Sequence, residues 1–273
     1  MARSLASPER AVLITIPISH FCEKARWALQ RAGVPFREEG HLQIFHYLRV
    51  LTAAGSVTVP VLQTEQELVR DSTDIARWAD RFLPAEHRLF PKGKLGAEVA
   101  AWEELFDLEI GPLARRIAYQ WLLPRRDLIE RYNVNGVPKW QAAAGLLALP
   151  AAALYLRARN GAWASRLAED LATMDTLFSR VSSQLQDGRP FIAGERFTAA
   201  DLALASLCAV VLLPREYGVP LPSVDELPEE AHRHVLRWRQ TPAGRHVMRL
   251  YAEERPVVRG RSAAEFPRHS YAG

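Results

Sequence analysis

The chain has 273 residues, 48% of them hydrophobic and 24% charged, which is the profile of an ordinary soluble globular protein. That length suffices for one large domain or two modest ones. The net charge of +4 is mild and no lysine- or arginine-rich tract occurs, which argues against a nucleic-acid partner. The two cysteines, Cys22 and Cys208, are too few for a disulfide framework or a zinc site, and their number fits a reducing compartment.

Neither a secretory signal nor a membrane span is expected. Residues 1–10 are polar, and the apolar run that follows them is short and has no basic lead. The most apolar stretch, residues 142–156, is shorter than the roughly 20 residues of a membrane span and contains Pro150. We interpret it as a buried helical segment, with contact to a membrane surface as the lesser alternative.

Short strands and helices alternate over the first 83 residues. The run at 11–17 is apolar throughout, which is typical of a strand buried on both faces. The predicted strands are 11–17, 36–41, 57–63 and 67–69, and the predicted helices are 20–31, 42–52 and 72–82. This β-α-β-α-β-β-α order describes a compact α/β unit.

The first predicted helix has an apolar stripe that includes Phe21, Cys22 and Leu29, and Gly33 closes it. Trp27 lies nearly opposite that stripe. A large aromatic side chain in this position predicts that a second layer covers the helix, as it would between a sheet and another domain.

The chain beyond a proline-containing linker at 83–93 is predicted to be helical. Long segments are expected at 97–121 and 151–185, a polar excursion at 125–138, and helices at 198–213, 229–240 and 241–253. The helix at 198–213 is apolar on every face and should be central and buried. Thr198 and Asp201 form a capping box before it, which we assign to folding. Residues 259–273 are expected to be a loosely held tail.

Ser19 stands where the first strand turns into the first helix. One interpretation is an N-cap, which accepts a main-chain N–H and contributes about 1 kcal/mol. The other is a hydroxyl that donates to a bound thiolate, beside helix-start amides that favour an anion. Cys22 lies on the apolar stripe beyond those free amides, so it is interpreted as a small hydrophobe. Cys208 is assigned to the core.

Two further segments allow both a structural and a ligand-binding interpretation. Pro60 belongs at a strand start, and a cis bond before it would direct the Val59 main chain at a peptide-like ligand. Asp71 or Ser72 caps the third helix; alternatively Ser72 and the helix-start amides bind a carboxylate while Asp71 meets an ammonium group. Neither paired catalytic carboxylates nor a metal-ligand spacing nor a phosphate loop is recognised, so we expect no metal.

Taken together, these motifs resemble the cytosolic glutathione transferase family over residues 12–257. The pattern that is similar to the first-helix motif of its serine and cysteine classes is Ser19-x-Phe21-x-x-Lys24-x-Arg26-x-Ala28-Leu29. The segments that are similar to its cis-proline segment, its acid–serine pair and its capping box are Val59-Pro60-Val61-Leu62, Asp71-Ser72 and Thr198-Ala199-Ala200-Asp201.

The resemblance implies a thioredoxin-like α/β domain at residues 10–83 and an all-helical bundle domain at 94–257. The family is usually shorter, and the chain is expanded around 124–164, which should border the substrate site. The aromatic residues that either line this site or belong to the core are Trp102, Phe106, Tyr119 and Trp121. The resemblance also implies a homodimer, and we expect it in the cytoplasm.

The implied activity is attack of the glutathione thiolate on a small apolar electrophile held between the two domains, with glutathione as co-substrate. Ser19 would be the catalytic residue that favours the thiolate. The residues that would bind glutathione are Phe21, Val59, Pro60, Asp71, Ser72 and His46. Within this set Val59 would hold the cysteinyl main chain, and Asp71 with Ser72 the γ-glutamyl end. His46, or alternatively His41, would meet the glycyl carboxylate.

Two alternatives remain open from the sequence. The protein could keep the fold as a binding protein with little turnover, or it could be a glutathione-dependent thiol reductase that uses Cys22. Ser19 stands where thiol-reducing relatives carry cysteine, which argues against reduction. Cys22, however, stands where those relatives carry a second cysteine.

Overall fold

The computed structural model describes residues 11–255. The polar start at 1–10 and the expected tail at 259–273 lie outside the described residues. The same holds for the outermost positions of the two predicted domains, residue 10 and residues 256–257.

A four-stranded mixed sheet organises the first part of the chain. Its elements are β1 (Val12–Thr15), α1 (His20–Arg31), β2 (Arg37–Gly40), α2 (His46–Ala54), β3 (Val61–Gln63), β4 (Leu68–Arg70) and α3 (Ser72–Asp80). The strand order is β2-β1-β3-β4, with β1 parallel to β2 and antiparallel to β3, and β3 antiparallel to β4. The predicted order of elements is confirmed, although β3 is shorter than predicted and α2 begins four residues late, at His46.

The strand β1 is covered on both faces, as its apolar sequence predicts. Leu13 is fully buried in the main core beside α1 and α3. Ile14, which points to the opposite face, is fully buried in a smaller cluster with Val50 of α2. The sheet is therefore enclosed between helices, and the turn after β1 leads from the carboxyl end of this central strand into α1.

The helix α1 is the layer between the sheet and the helical part of the chain. Trp27 is fully buried, with its ring centroid 5.7 Å from that of Phe197 and 4.9 Å from that of Tyr251. This confirms the second covering layer. The helix ends where Gly33 adopts φ +63, and the Val34 N–H donates back to the Leu29 carbonyl at 3.0 Å.

The rest of the described chain is helical. The α-helices are α4 (Gly93–Leu105), α5 (Gly111–Leu122), α6 (Arg126–Leu128), α7 (Lys139–Leu147), α8 (Leu149–Asn160), α9 (Leu167–Gln184), α10 (Ala199–Leu212), α11 (Glu229–Gln240) and α12 (Pro242–Glu253). Wider π-helical turns occupy Phe106–Ile110 and Ile129–Asn133, and 3-10 turns occupy Ala85–His87, Ala164–Arg166 and Val224–Glu226. As predicted, α10 is buried at nearly every position, and Asp201 accepts the Thr198 N–H at 3.0 Å in a capping box.

The two long helical segments are less regular than predicted. The first is interrupted by the π turn Phe106–Ile110 before α5 begins at Gly111. The second is divided, because Gly161 adopts φ +66 after α8 and a 3-10 turn precedes α9. A left-handed glycine ends a helix without the steric cost that a Cβ would impose.

The prediction that residues 142–156 form a buried helical segment is wrong. The stretch is divided between α7 and α8, and Leu147 and Leu154 are 85% and 59% exposed. Only one side of α8 packs, where Ala153 joins Leu123 and Ile129 in a small cluster. Some of the apolar side chains in this stretch line a cavity, and others, on the outer side, face solvent.

Among residues 11–255, we find no single helix that is long and apolar enough to cross a membrane. One pair of helical segments has the length and composition of a membrane span when the two are taken together, but they are bent by 84° relative to each other. This pair is Lys139–Leu147 and Leu149–Gln184.

Candidate functional site

Ser19 occupies the N-cap position of α1, with φ −71 and ψ 129. Its main chain is fixed at both ends: the N–H donates to the Ile16 carbonyl and the carbonyl accepts from the Glu23 N–H, each at 2.9 Å. The side chain makes no capping hydrogen bond. The hydroxyl is therefore not used for capping; it contacts the Cys22 thiol and lies beside the free amides at the start of α1, where an anion is favoured.

Cys22 is not placed as a reactive thiol. Its side chain is fully buried one turn into α1. Burial raises the pKa of this thiol to about 12, although hydrogen bonds with the Ile16 main chain and the Ser19 side chain and the charge of Arg26 act in the opposite direction. Reactive cysteines are partly exposed and have a lowered pKa. Cys208 is also fully buried, and burial likewise raises its pKa.

The start of α1 is tied to the start of α5. His20 donates from Nε2 to the Gly111 carbonyl at 2.9 Å, and burial lowers its pKa to about 3, so the ring is neutral. Phe21 packs directly on Gly111: a Cβ at that glycine would lie 2.5 Å from Cζ of Phe21. The π turn thus places Gly111 where its carbonyl accepts from His20 and where the absence of a side chain leaves space for the ring of Phe21.

The peptide bond between Val59 and Pro60 is cis, and β3 begins directly after it. Neither the N–H nor the carbonyl of Val59 is hydrogen-bonded to another residue within 11–255. Val59 lies on the wall of the cavity that Ser19 lines, while Pro60 is buried behind it. The Val59 main chain therefore offers one donor and one acceptor to a ligand.

At the start of α3 the capping role falls to Asp71, whose Oδ1 accepts the Thr73 N–H at 2.7 Å. Asp71 has φ 71 and ψ 146, a conformation that is rare outside glycine. Ser72 follows, and its Oγ is buried without a hydrogen-bond partner. A carboxylate placed at this helix start would satisfy both the hydroxyl and the free amides.

The two candidate histidines differ in what they already contact. The ring of His41 is engaged on both nitrogens, with Glu39 at 3.0 Å and Gln141 at 2.9 Å. His46 lines the cavity; its Nε2 lies 3.3 Å from the Val57 carbonyl, and its Nδ1 is buried without a partner. Burial lowers the pKa of His46. The structure leaves a free ring nitrogen on His46 and none on His41.

A cavity of about 550 Å³ opens between the α/β part and the helical part. It brings together four of the predicted site residues, Ser19, Phe21, His46 and Val59. Asp71, Ser72 and Pro60 do not line it. A ligand that reaches from the start of α3 to Ser19 would therefore lie partly outside this cavity, and its end near Ser19 would lie inside it.

The expanded region at 124–164 supplies much of the cavity wall, from residues such as Ile129, Tyr132 and Leu149. This region also closes on the sheet, since a Cβ at Gly40 would lie 2.1 Å from the Gly136 carbonyl oxygen. Of the four aromatic residues that were expected either to line the substrate site or to belong to the core, Tyr119 lines the cavity. Trp102, Phe106 and Trp121 belong to the core or pack against it.

Two arginines at the cavity, Arg115 of α5 and Arg159 of α8, were not anticipated from the sequence. Neither has an aspartate or glutamate three or four residues away, which is the spacing of an ion pair on a helix. The same is true of Arg116 and Arg157, which do not line the cavity, so no sequence signal distinguishes the two cavity arginines. For residues 11–255 we find no group of three or more His, Cys, Asp or Glu side chains that could hold a metal ion.

Comparison with known proteins identifies the family. The family model for the N-terminal domain of glutathione S-transferases matches residues 13–87, and the model for their C-terminal domain matches residues 151–241. Together these matches cover more than half of the chain. A search of curated proteins found no match.

Solved structures share the fold along nearly the whole chain. A glutathione S-transferase of Ceriporiopsis subvermispora in complex with glutathione is 15% identical with a TM-score of 0.62, covering 91% of this chain and 99% of that one. The beta-etherase LigF from Sphingobium sp. strain SYK-6 is 16% identical with a TM-score of 0.57, covering 88% and 99%. Glutathione S-transferase I from maize in complex with an atrazine–glutathione conjugate is 18% identical with a TM-score of 0.52, covering 90% and 99%. With both domain models matched and this fold shared, the chain belongs to the glutathione S-transferase family.

Proposed function

We propose that this protein is a glutathione transferase, which activates the thiol of bound glutathione for attack on an apolar electrophile. The observation that carries the proposal is the Ser19 side chain, which lines the cavity at the start of α1 and is not used as a cap. The complexes of fold neighbours with glutathione and with a glutathione conjugate support it.

The proposed chemistry depends on a thiolate. A free thiol has a pKa near 8.5, so most of it is protonated at neutral pH. On binding, the thiol proton passes to solvent, the Ser19 hydroxyl donates a hydrogen bond to the sulfur, and the free amides of α1 add to this stabilisation. A sulfur lone pair then forms the C–S bond, and the leaving group of the electrophile departs with its electron pair.

The cysteinyl part of glutathione is proposed to pair with Val59, whose N–H and carbonyl are free to bond an extended main chain as a neighbouring strand would. Pro60 is buried behind this contact. Phe21 of α1, which packs on Gly111 of α5, would border the sulfur. These three residues place the sulfur at the wall that Ser19 lines.

The two charged ends of glutathione are proposed to bind on either side of this contact. Asp71 is exposed and would meet the γ-glutamyl ammonium group, while Ser72 and the amides of α3 would accept the neighbouring carboxylate. His46, when its ring is protonated, would donate from Nδ1 to the glycyl carboxylate.

The reductase alternative requires Cys22 to act as a nucleophile. Its full burial and raised pKa argue against that role. The binding-protein alternative keeps glutathione in the same place but without turnover, and the experiment below separates it from the transferase.

The test is conjugation of glutathione to chlorodinitrobenzene, an uncharged aryl halide, together with retention on glutathione resin. Ser19→Ala is expected to lower kcat/KM about 100-fold, the effect of losing one donor to a developing anion. Cys22→Ala should stay within about twofold of wild type. Absence of both retention and turnover would remove the enzyme proposal, and retention without turnover would favour the binding protein. Loss of activity in Cys22→Ala alone would favour the reductase.

The chain is also proposed to act as a homodimer in the cytoplasm. Family membership supports the dimer, and two free cysteines fit a reducing compartment. Light scattering on the purified full chain would measure the mass of the assembly against the 30.7 kDa of one chain.

A further inference from the structure

The cavity beside Ser19 has an uneven charge. Among the described residues, Arg115 and Arg159 line this cavity, whereas no aspartate or glutamate does. Most of the remaining wall is apolar, with side chains such as Leu122, Leu149 and Val210. The surroundings therefore bring two positive charges to an otherwise apolar space and provide no protein anion to neutralise them.

Arg115 is the more enclosed of the two. Its Nε is buried without a hydrogen-bond partner, and Cζ of its guanidinium lies 5.7 Å from the centroid of the Phe21 ring. Burial lowers its pKa; Tyr119 acts in the opposite direction, and the charges of Arg159 and Arg116 act in the same direction as burial. The guanidinium nevertheless stays charged in any accessible pH range.

The next residue along α5 provides a contrast. Arg116 points away from the cavity and is neutralised, with Nη2 2.8 Å from Oδ1 of Asp170. Arg115 has no such carboxylate within the described chain. Arg115 is half-buried, and a partly buried charge without a partner is costly, so an anionic ligand would supply the missing counter-charge.

Arg159 reaches the same cavity from α8. It is exposed overall, and its charge acts on both Arg115 and the Tyr47 hydroxyl. The two cations come from separate helices and converge on one volume. An anion between them would pair with both, with charge-assisted hydrogen bonds as the strongest contacts available there.

We propose that the electrophile taken by this cavity is an apolar molecule that carries an anionic group, a carboxylate or sulfonate, held between Arg115 and Arg159. The inference rests on the proposed transferase function and narrows its substrate class. The charged ends of glutathione have separate partners in Asp71, Ser72 and His46, on the α/β part of the chain.

Direct binding tests the anion site without any turnover. The probes are anilinonaphthalene sulfonate and phenylnaphthylamine, which share a ring system but differ in the sulfonate, and both report binding by fluorescence. Arg115→Gln and Arg159→Gln are each expected to weaken sulfonate binding about tenfold, while binding of the neutral amine stays within about twofold. The matched control is Arg157→Gln, which alters an arginine of α8 that does not line the cavity and should change neither affinity.

Kinetics then test the substrate class. Conjugation of a chloronitrobenzoate should lose about tenfold in kcat/KM on Arg115→Gln, while the matching chloronitrobenzamide loses about twofold or less. Equal losses for the charged and neutral member of either pair would overturn the inference. So would weakened binding of S-methylglutathione with unchanged sulfonate affinity, since the arginine would then serve glutathione. If neither aryl halide is conjugated, the transferase proposal fails, while the two fluorescent probes still decide whether the cavity binds anions.

Discussion

Two serines at the site stand at helix starts without capping the helix. Asp71 takes the capping role at α3, so the Ser72 hydroxyl next to it has no partner. A buried hydroxyl without a hydrogen bond costs about 1–3 kcal/mol, which a bound carboxylate would recover. At α1, Ser19 stands at the N-cap position, but its side chain makes no capping hydrogen bond.

The charge of Asp71 can be tested without disturbing its cap. Asp71→Asn keeps an oxygen for the Thr73 N–H but removes the negative charge proposed to meet the γ-glutamyl ammonium. The KM for glutathione should rise about tenfold while the urea midpoint changes little. Asp74→Asn, an exposed carboxylate in the same helical turn, is the control and should leave KM unchanged. Equal KM values in wild type and Asp71→Asn would refute the contact.

His46 predicts a pH dependence of glutathione binding. Burial lowers the pKa of the free ring, so the ring is neutral at pH 7. A carboxylate at Nδ1 favours the protonated ring and raises the pKa in the complex, so binding takes up a proton. Affinity is therefore highest below the pKa of the free protein, falls as pH rises from that value to the pKa of the complex, and is lowest above it.

The ligand for this measurement is S-methylglutathione, because its sulfur does not ionise. Calorimetry between about pH 5 and 8 should show the affinity falling with pH in wild type. His46→Gln should remove that slope, since an amide does not titrate. A slope of the same size in the variant would assign the pH dependence to another group.

Helices and strands divide into those that the sequence predicts and those that it does not. The order of the α/β elements, the buried α10 and the second layer over Trp27 follow from local periodicity, which is a property of each segment alone. The π turn before Gly111, the break at Gly161 and the exposed side of α7 and α8 depend on which neighbours cover each segment. Convergence of Arg115 with Arg159 depends on the packing of α5 and α8, which no local pattern encodes.

Gly111 links two elements at the site, the start of α1 and the start of α5. In Gly111→Ala the new Cβ would meet Cζ of Phe21 at 2.5 Å, so the ring must move. We expect a loss of about 1–3 kcal/mol in the free energy of unfolding and a lower kcat/KM for conjugation. Urea unfolding and steady-state kinetics measure the two effects.

A double variant separates this contact from a general helix effect. Phe21→Leu removes the ring that the new methyl group meets, so Gly111→Ala should cost less stability in the Phe21→Leu background than in wild type. Purely additive losses of stability would contradict the contact and place the effect of Gly111→Ala within α5 itself.

For the molecule as a whole, α1 joins the two parts through buried ion pairs as well as through Trp27. Nζ of Lys24 is fully buried and lies 2.5 Å from Glu103, 2.7 Å from Asp107 and 2.8 Å from the Thr73 hydroxyl. At the preceding residue of the helix, Glu23 pairs with Arg255 at 2.8 Å. These contacts connect the α/β part of the chain to the helical part.

Lys24→Met tests this connection. It leaves two carboxylates close together without a cation, so the free energy of unfolding should fall by about 3–5 kcal/mol. Lys94→Met, at an exposed position of α4, should change it by less than about 0.5 kcal/mol. The measurement is equilibrium urea unfolding of both variants. A small loss of unfolding free energy in Lys24→Met would mean that water solvates Glu103 and Asp107 and that the connection contributes little to stability.

The central claim is that Ser19 favours the thiolate of a thiol that belongs to glutathione. Its most direct test is a titration of the bound thiol, followed by the ultraviolet absorbance of the thiolate in saturated wild type and in Ser19→Ala. Wild type should ionise the thiol well below its free pKa of about 8.5, and Ser19→Ala should return the pKa by about 1 unit or more toward that value. The same depressed pKa in both proteins, or an undepressed pKa in wild type, would contradict the claim.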